Sequence, residues 1–169
     1  DRRVTESGLD WTLFRPSTIF GPDDRFLNRF ETLLNLLPVL PLARPDARMA
    51  PAYVGDVVEA FARALVDRST IGKTLELCGP DIWRLREIVE WIAAQRGMKR
   101  WVAGLPDALG RLQGALFDFA PGKPFSSDNF RSLSVDSVCV DNGFAALGIQ
   151  PWALDLAQDI VFAAWTGEE

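Results

Sequence analysis

The stretch Trp11–Pro22, with the sequence WTLFRPSTIFGP, decides the fold of this chain. Its beginning, Leu9–Phe14, is rich in β-forming residues and apolar at nearly every position, which predicts a strand buried on both faces of a parallel sheet. Arg15-Pro16 removes a backbone donor and fixes φ, so we expect the strand to end there. Because ligands of open α/β sheets bind at the carboxyl ends of strands, we expect the chemistry at residues 15–21.

The remainder of the chain alternates predicted helices and strands, which is typical of an α/β fold. Asp23 or Asp24 is expected to cap the first long helix, and Asp56 to cap the helix that follows it. The predicted helices span residues 24–37, 57–67, 84–96, 106–119, 127–133, 142–147 and 152–165. The further predicted strands span residues 39–42, 51–54, 74–78 and 100–105. Residues 120–128 are expected to be irregular because they contain two prolines, a glycine and paired serines.

The composition predicts one compact core and excludes several classes of site. The chain has 169 residues, of which 48% are hydrophobic and 24% charged, enough for a single core. A net charge of −5 argues against a nucleic-acid partner, since no basic stripe neutralises phosphates. The absence of histidine excludes histidine-ligated metals and Ser-His or Cys-His nucleophiles.

The two cysteines and the apolar runs predict the environment of the protein. Cys78 and Cys139 stand apart without C-x-x-C spacing, so we favour reduced, buried thiols over a disulfide and expect a cytoplasmic location. The run Leu33–Leu42 is interrupted by two prolines and is shorter than the roughly 20 residues that a membrane span needs. The sequence therefore predicts no membrane span.

Three motifs in order resemble the extended and atypical short-chain dehydrogenase/reductases. They are TLFRPSTIFGPDDRF from Thr12, AYVGDVVEA from Ala52 and GKTLELCGP from Gly72. The run GPDDRFLNRF, followed by PVLPL, is most similar to bacterial relatives of the NAD(P)-binding accessory subunit of respiratory complex I. The resemblance covers roughly residues 1–96 well and the remainder weakly. It implies a fold related to the NAD-dependent epimerases and dehydratases.

Two motifs of that family do not occur in this sequence. The dinucleotide fingerprint G-x-x-G-x-x-G does not occur, and the only tyrosine, Tyr53, is followed three residues later by Asp56 rather than by a catalytic lysine. We therefore expect an α/β chain that forms the C-terminal, substrate-side portion of a Rossmann-like fold and lacks the N-terminal dinucleotide-binding half. Within a single domain of residues 1–169, residues 1–22 and 51–80 are expected to contribute Rossmann-sheet elements. Residues 23–50 and 81–169 are expected to form the small substrate-side domain.

The resemblance also assigns expected roles to individual residues. In the family, the backbone after the Arg-Pro pair lies beside the nicotinamide, and the helix that follows enters the substrate cleft. Cofactor binding is therefore expected at Arg15, Pro16, Ser17 and Thr18, and substrate binding at Phe20, Arg25 and Asn28. A structural ion pair is an equally weighted explanation of Arg15, and solvated helix polarity is the commoner explanation of Arg25 and Asn28. We expect neither a catalytic residue nor a metal ligand in this chain.

For the intact protein, the resemblance implies NAD or NADP as cofactor, with weak or no binding by this chain alone. The expected function is that of an oxidoreductase-like accessory subunit of NADH dehydrogenase, acting on a small, apolar, quinone-like substrate. The alternative is a non-catalytic nucleotide sensor or scaffold of the same fold. An upstream glycine fingerprint with Tyr-x-x-x-Lys would favour an enzyme, and a fingerprint without that tyrosine would favour a sensor. We also expect the chain to self-associate, because its buried-type strand would lack neighbours.

Overall fold

The structure is a computed structural model that describes residues 1–22, 24–117 and 127–156. The helices are α1 (Arg2–Thr5), α2 (Arg25–Leu36), α3 (Val54–Val66), α4 (Leu85–Gln95), α5 (Asp107–Phe117), α6 (Ser127–Ser132) and α7 (Gly143–Ala146). The strands are β1 (Thr12–Pro16), β2 (Ile19–Phe20), β3 (Val39–Ala43), β4 (Arg48–Met49), β5 (Ala52–Tyr53), β6 (Lys73–Leu77), β7 (Trp83–Arg84) and β8 (Trp101–Leu105). The mixed α/β class is confirmed.

The strands pair two by two, and most pairs are parallel. β1 runs parallel to β6 with Arg15 opposite Glu76, β2 runs parallel to β5, and β3 runs parallel to β8. The short pair β4 and β7 is antiparallel. Parallel pairs joined through helices are the arrangement that the alternating sequence predicts.

The chain divides into two compact units. The first comprises Asp1–Asp23, Ala50–Ile82 and the chain from Val138 onward, and the second comprises Asp24–Met49 and Trp83–Ser137. β1, β2, β5, β6, α3 and α7 belong to the first unit. α2, α4, α5, α6, β3, β4, β7 and β8 belong to the second. The roles of Rossmann-sheet part and substrate-side part remain predictions for the residue ranges given above.

The core of the first unit forms where α3 and α7 pack against β6. Its buried residues are Ala52, Val57, Ala60, Leu75, Leu77, Phe144, Leu147 and Ile149. Phe144 and Leu77 have no exposed surface, although Phe144 comes from a helix of only four residues. α7 and the residues that directly follow it therefore supply Phe144, Leu147 and Ile149 to this core.

The second unit is built around the apolar faces of α2 and α4. Its most deeply buried residues include Leu27, Leu34, Leu85, Ile88, Val89 and Ile92. Asp24 caps α2, as predicted, because its carboxylate accepts the backbone N–H groups of Phe26 and Leu27 at 2.7 Å. This cap fixes where α2 begins.

The first strand differs from its prediction in both position and burial. β1 extends from Thr12 to Pro16, so the ladder continues through Arg15 and Pro16, while Leu9 lies outside it and is 73% exposed. The residues of β1 are half-buried or exposed rather than buried on both faces. Among the described residues β1 pairs only with β6, so the neighbours that would bury its second side are not there.

Two helix predictions need correction. α3 begins at Val54, three residues earlier than predicted, with Tyr53 at its N-cap, so Asp56 lies inside the first turn and does not cap the helix. The predicted helix 152–165 begins in a turn, since residues 152–156 are not helical, and its remainder lies outside the described residues. Most of the irregular stretch predicted at 120–128 also lies outside them. No helix in the described ranges has the length and apolarity needed to cross a bilayer.

Candidate functional site

The carboxyl end of β1 is locked to two neighbouring segments through Ser17. The Ser17 N–H donates to the Leu77 carbonyl oxygen at 2.9 Å, which continues the ladder between β1 and β6. The Ser17 hydroxyl accepts the Ala50 N–H at 3.3 Å, and the side chain is 9% exposed. Ser17 therefore fixes the position of the strand end from inside the protein.

Gly79 and the stretch from Ala50 to Ala52 complete this arrangement. The Gly79 N–H donates to the Ala50 carbonyl at 3.1 Å, and the Ala52 N–H donates to the Thr18 carbonyl at 2.9 Å. A Cβ at Gly79 would overlap the Pro51 carbonyl oxygen, so only glycine permits this close approach. The strand ends of β1 and β6 are thus joined by backbone hydrogen bonds into one rigid edge.

The predicted residues at this edge differ in exposure. Arg15 and Pro16 are exposed, and the Arg15 guanidinium pairs with the exposed carboxylate of Asp1. An exposed pair of this kind contributes only about 0–1 kcal/mol, so Arg15 remains able to reach a ligand. Together, the strand end presents a guanidinium, a proline ring and backbone groups. Such groups can position a ligand, and the guanidinium can pair with a negative charge on it.

Phe20 lies in β2 of the same unit and is 1% exposed. Its ring centroid is 5.7 Å from that of Tyr53, which in turn lies 6.1 Å from the ring of Trp152. Phe20 therefore packs in an aromatic cluster, and its substrate contact remains a prediction. Tyr53, the only tyrosine of the chain, sits in the middle of this cluster.

Arg25 and Asn28 belong to the second unit. Arg25 is the first residue of α2, and its side chain is not among those described. The Asn28 side-chain N–H donates to the Asp24 backbone carbonyl, so it supports the first turn of the helix. The structure brings Arg15, Pro16, Ser17 and Thr18 together, while the substrate-binding roles of Arg25 and Asn28 remain predictions.

Asp56 is a buried acid for which the sequence predicted only a helix-capping role. It is 5% exposed, and its carboxylate accepts the Trp152 N–H at 2.7 Å. Burial raises the pKa of the Asp56 carboxyl above its ordinary value of 3.8, the bond from Trp152 opposes that rise, and nearby Glu59 adds to it. Asp56 thereby ties the chain after Ile149 to the first turn of α3.

An apolar stripe runs along the exposed side of α3. It consists of Val54, Val58, Phe61 and Leu65, which are between 36% and 87% exposed. The Phe61 ring stacks on Phe14 of β1 with centroids 4.2 Å apart. Beside this stack lies a cavity of about 410 Å³ whose lining includes Trp11 and Leu65. These positions recur at helical spacing, so the sequence pattern alone marks them as one face.

The second unit contains a polar cavity that the sequence did not predict. It has a volume of about 550 Å³ and is lined in part by Arg44, Arg86 and Asp107. Arg44 has a φ of 53°, an uncommon value for a residue other than glycine, and its guanidinium pairs with Asp107 at 2.9 Å. The same guanidinium lies 4.9 Å from the centre of the Phe130 ring. Asp107 and Phe130 together hold Arg44 at the cavity.

The prediction of two reduced thiols is wrong, because Cys78 and Cys139 form a disulfide with their Cα atoms 6.0 Å apart. The two residues are separated by 61 positions in the sequence, and no local spacing indicates that the chain brings them together. The described residues contain no cluster of three or more histidine, cysteine or acidic side chains suited to a metal ion.

Comparison with known proteins finds similarity to proteins of the kind that the motifs resemble. No protein-family model matches it. It is 31% identical over 152 residues to NADH dehydrogenase [ubiquinone] 1 alpha subcomplex subunit 9, mitochondrial, of Rattus norvegicus. The predicted resemblance to an accessory subunit of respiratory NADH dehydrogenase is confirmed. This match covers 87% of the chain and 40% of the rat protein, so the chain spans less than half the length of that relative.

Solved structures of an epimerase and of an NADPH-bound protein share the fold. An epimerase of Methanothermobacter thermautotrophicus superposes with a TM-score of 0.69 and 16% identity, covering 98% of this chain and 46% of its own. RMD of Pseudomonas aeruginosa, solved with NADPH, superposes with a TM-score of 0.61 and 15% identity, over 99% of this chain and 51% of its own. The chain thus corresponds to about half of a Rossmann-like fold, as expected.

The cytoplasmic location predicted from the cysteines is contradicted. The similar proteins from rat, mouse, Arabidopsis thaliana and Neurospora crassa are all named as mitochondrial subunits. The disulfide between Cys78 and Cys139 removes the free thiols on which that prediction rested.

Proposed function

We propose that this chain supplies the nicotinamide-side strand end of an NAD(P)-binding accessory protein of a respiratory NADH dehydrogenase. The observation that carries the proposal is the rigid edge at Ser17, where β1, β6 and residues 50–52 are joined by backbone hydrogen bonds. A ligand at the carboxyl ends of parallel strands meets such an edge without requiring it to move. The similarity to subunits of NADH dehydrogenase supports the accessory role.

The residues of the edge favour binding over turnover. The only tyrosine is Tyr53, whose ring packs between Phe20 and Trp152, and the chain has no histidine. Arg15 can hold a negative charge, and the Pro16 ring can pack against a flat cofactor ring, but neither is suited to transferring protons. The nicotinamide side of the site is therefore a positioning surface. NAD and NADP both fit this proposal, because the ribose-binding part lies elsewhere in the fold.

The test replaces an exposed residue of the edge in the full-length protein. Pro16→Trp places a large ring at the carboxyl end of β1, and we expect cofactor affinity to fall at least tenfold with little change in melting temperature. Asp10→Trp, just before the amino end of the same strand, is the matched control and should leave the affinity unchanged. Ser17 is unsuitable because its buried hydroxyl holds Ala50. Equal affinities of the Pro16 and Asp10 variants in folded proteins would remove β1 from the site.

The apolar stripe supports a second element of the proposal, a protein contact. A helix face with Val58 62% exposed and Leu65 87% exposed is costly to leave in water. We propose that in the chain alone a second copy covers this stripe. Light scattering over a wide concentration range tests this, with Leu65→Lys as the variant that should shift the protein toward monomer. A wild-type chain that stays monomeric and folded at high concentration would contradict it.

A quinone-like substrate is the second candidate function. The cavity beside the stripe is lined by Trp11, Phe14 and Phe61, and an apolar ring stacks well on such residues. A water-soluble short-chain quinone should then quench the fluorescence of Trp11, and Phe61→Ala should weaken that quenching. Quenching that is the same in Phe61→Ala as in the wild type would leave the protein contact as the role of this surface.

A further inference from the structure

The outer edge of β6 is covered by residues 138–142, a segment that is not a strand. One bridge joins Asn142 to Glu76 in parallel fashion, and the Val140 N–H donates to the Glu76 carboxylate at 3.0 Å. The Asn142 side chain brackets Cys78, since its N–H donates to the Cys78 carbonyl at 2.7 Å and its oxygen accepts the Cys78 N–H at 3.4 Å. The end of β6 and the residue that follows it are thereby covered on the side away from β1.

Apolar packing contributes little to holding this segment in place. Val140 is 99% exposed, and Cys139 is half-buried. The apolar anchors come later in the chain, at Phe144 and Leu147, which are buried in the core of the unit. Residues 139–142 are therefore attached by a few hydrogen bonds and by the disulfide between Cys78 and Cys139.

We propose that Cys78–Cys139 is a reversible dithiol–disulfide site that closes and opens the outer edge of β6. Its reaction partner is a dithiol reductant. With the disulfide formed, the segment stays on the edge. With the disulfide reduced, residues 139–142 leave and α7 loses the cap that the Asn142 side chain gives to the Phe144 N–H. The helix remains docked through the buried Phe144 ring, so the change is local.

The exchange follows from the burial of the two sulfurs. A thiolate of the reductant attacks the half-buried Cys139 sulfur, because Cys78 is only 4% exposed. The S–S bond breaks, and Cys78 leaves as a thiolate that takes up a proton. The second thiol of the reductant then displaces Cys139 as a thiol. The protein gains two electrons and two protons, and the reductant becomes a disulfide.

The opened edge has a defined consequence. Residues 76–78 would present unpaired backbone N–H and C=O groups, which readily pair with another strand. Cys78 directly follows Leu77, whose carbonyl holds Ser17, and precedes Gly79, which bonds to Ala50. The redox state of the disulfide therefore changes the pairing of Cys78, which lies immediately next to the rigid strand end. This holds whether or not a cofactor binds at that strand end.

The test compares the oxidised chain with the chain reduced by dithiothreitol. Thiol titration with a chromogenic disulfide should find no free thiol before reduction and two after it. Hydrogen exchange should become at least tenfold faster at the amides of Cys78 and Val140 after reduction. It should not change at Leu75 or at Ile149, whose N–H donates to the Phe144 carbonyl oxygen.

The double variant Cys78→Ser/Cys139→Ser is the matched control. It should show the fast exchange of the reduced form both with and without dithiothreitol. Two free thiols in the protein as isolated under air would overturn the proposal, and so would equal exchange at Cys78 and Val140 in both redox states. Reduction that speeds exchange throughout the first unit would also overturn it, because the disulfide would then support the whole fold rather than one edge.

Discussion

The two long faces of α3 have nearly the same chemistry and opposite environments. On one face, Val57 is 6% exposed and Ala60 is fully buried, because Phe144 and Leu147 pack over them. On the other, Val58 is 62% exposed and Leu65 is 87% exposed. An apolar face in the sequence therefore predicts a contact, but it does not say whether the same chain provides the partner. The proposed contact surface is the face that this chain leaves uncovered.

The largest expected effect comes from removing the cover of the buried face. Phe144→Ala should lower the free energy of unfolding by about 3–5 kcal/mol, because it leaves a cavity where a fully buried ring had packed. Phe61→Ala is the matched change on the exposed face. This change removes the stack of Phe61 on Phe14 and should lower the free energy of unfolding by about 1 kcal/mol. Urea unfolding measures both, and equal losses would mean that the two faces are equally buried in solution.

A smaller effect is expected where α7 approaches β6 most closely. A Cβ at Gly143 would lie 2.8 Å from the Cβ of Leu75 and 3.1 Å from the Glu76 carbonyl oxygen. Gly143→Ala should therefore lower the free energy of unfolding by about 1–3 kcal/mol, because the added methyl group pushes α7 away from β6. Ala145→Ser, on the exposed side of the same helix, should stay within about 0.5 kcal/mol of the wild type. A neutral Gly143→Ala would show that α7 docks more loosely than described.

The smallest effect concerns Asp56, which ties Trp152 to the buried face. Burial raises the pKa of the Asp56 carboxyl, so the folded protein favours the protonated form. The contribution of Asp56 to the free energy of unfolding is therefore most favourable below pH 3.8, and it is lost as the pH rises through the raised pKa of the folded state. Asp56→Asn keeps an acceptor for the Trp152 N–H without the buried charge. We expect the variant to be more stable than the wild type at neutral pH, with the difference disappearing in acid.

Asp67, at the other end of α3, is the control with the opposite sign. Hydrogen bonds from Ser69 lower the pKa of the exposed Asp67 carboxyl. Its stabilisation is present above pH 3.8 and is lost as pH falls through the lowered pKa, so Asp67→Asn should be destabilising at neutral pH and harmless in acid. Urea unfolding at a series of pH values checks both variants. If both variants changed the free energy of unfolding at neutral pH in the same direction, the environments assigned to Asp56 and Asp67 would be contradicted.

The sequence predicted those parts of the fold whose signals are local. The Asp24 cap, the strand at 39–42 and the helix ending near Arg96 follow from capping residues, prolines and apolar periodicity, and the structure has all three elements within a few residues. The strand end was predicted too early, because an Arg-Pro pair usually terminates a strand, whereas the ladder continues through Arg15 and Pro16. Gly79 was not recognised as part of it, because its contact with Pro51 is formed by distant residues.

The features that the sequence missed depend on contacts between distant segments. Cys78 lies beside Cys139 because residues 138–142 cover the edge of β6. The chain between the two cysteines includes residues 83–137, which belong to the second unit. Asp56 was assigned a capping role because an acid near a helix start usually has one, whereas Trp152 is its actual partner. The half-burial of β1 was missed for a related reason: a sequence shows how apolar a strand is, but not which neighbours it has.

The central claim is that this chain carries the nicotinamide side of a cofactor site whose phosphate-binding part belongs to the other half of the fold. Calorimetric titration of NADH and NADPH into the chain alone tests it most directly, with folding checked by circular dichroism. Most of the affinity comes from pyrophosphate at a helix N-terminus, so we expect binding weaker than about 10 μM, roughly −7 kcal/mol. A dissociation constant at or below that value would contradict the claim, since this chain would then hold a complete site.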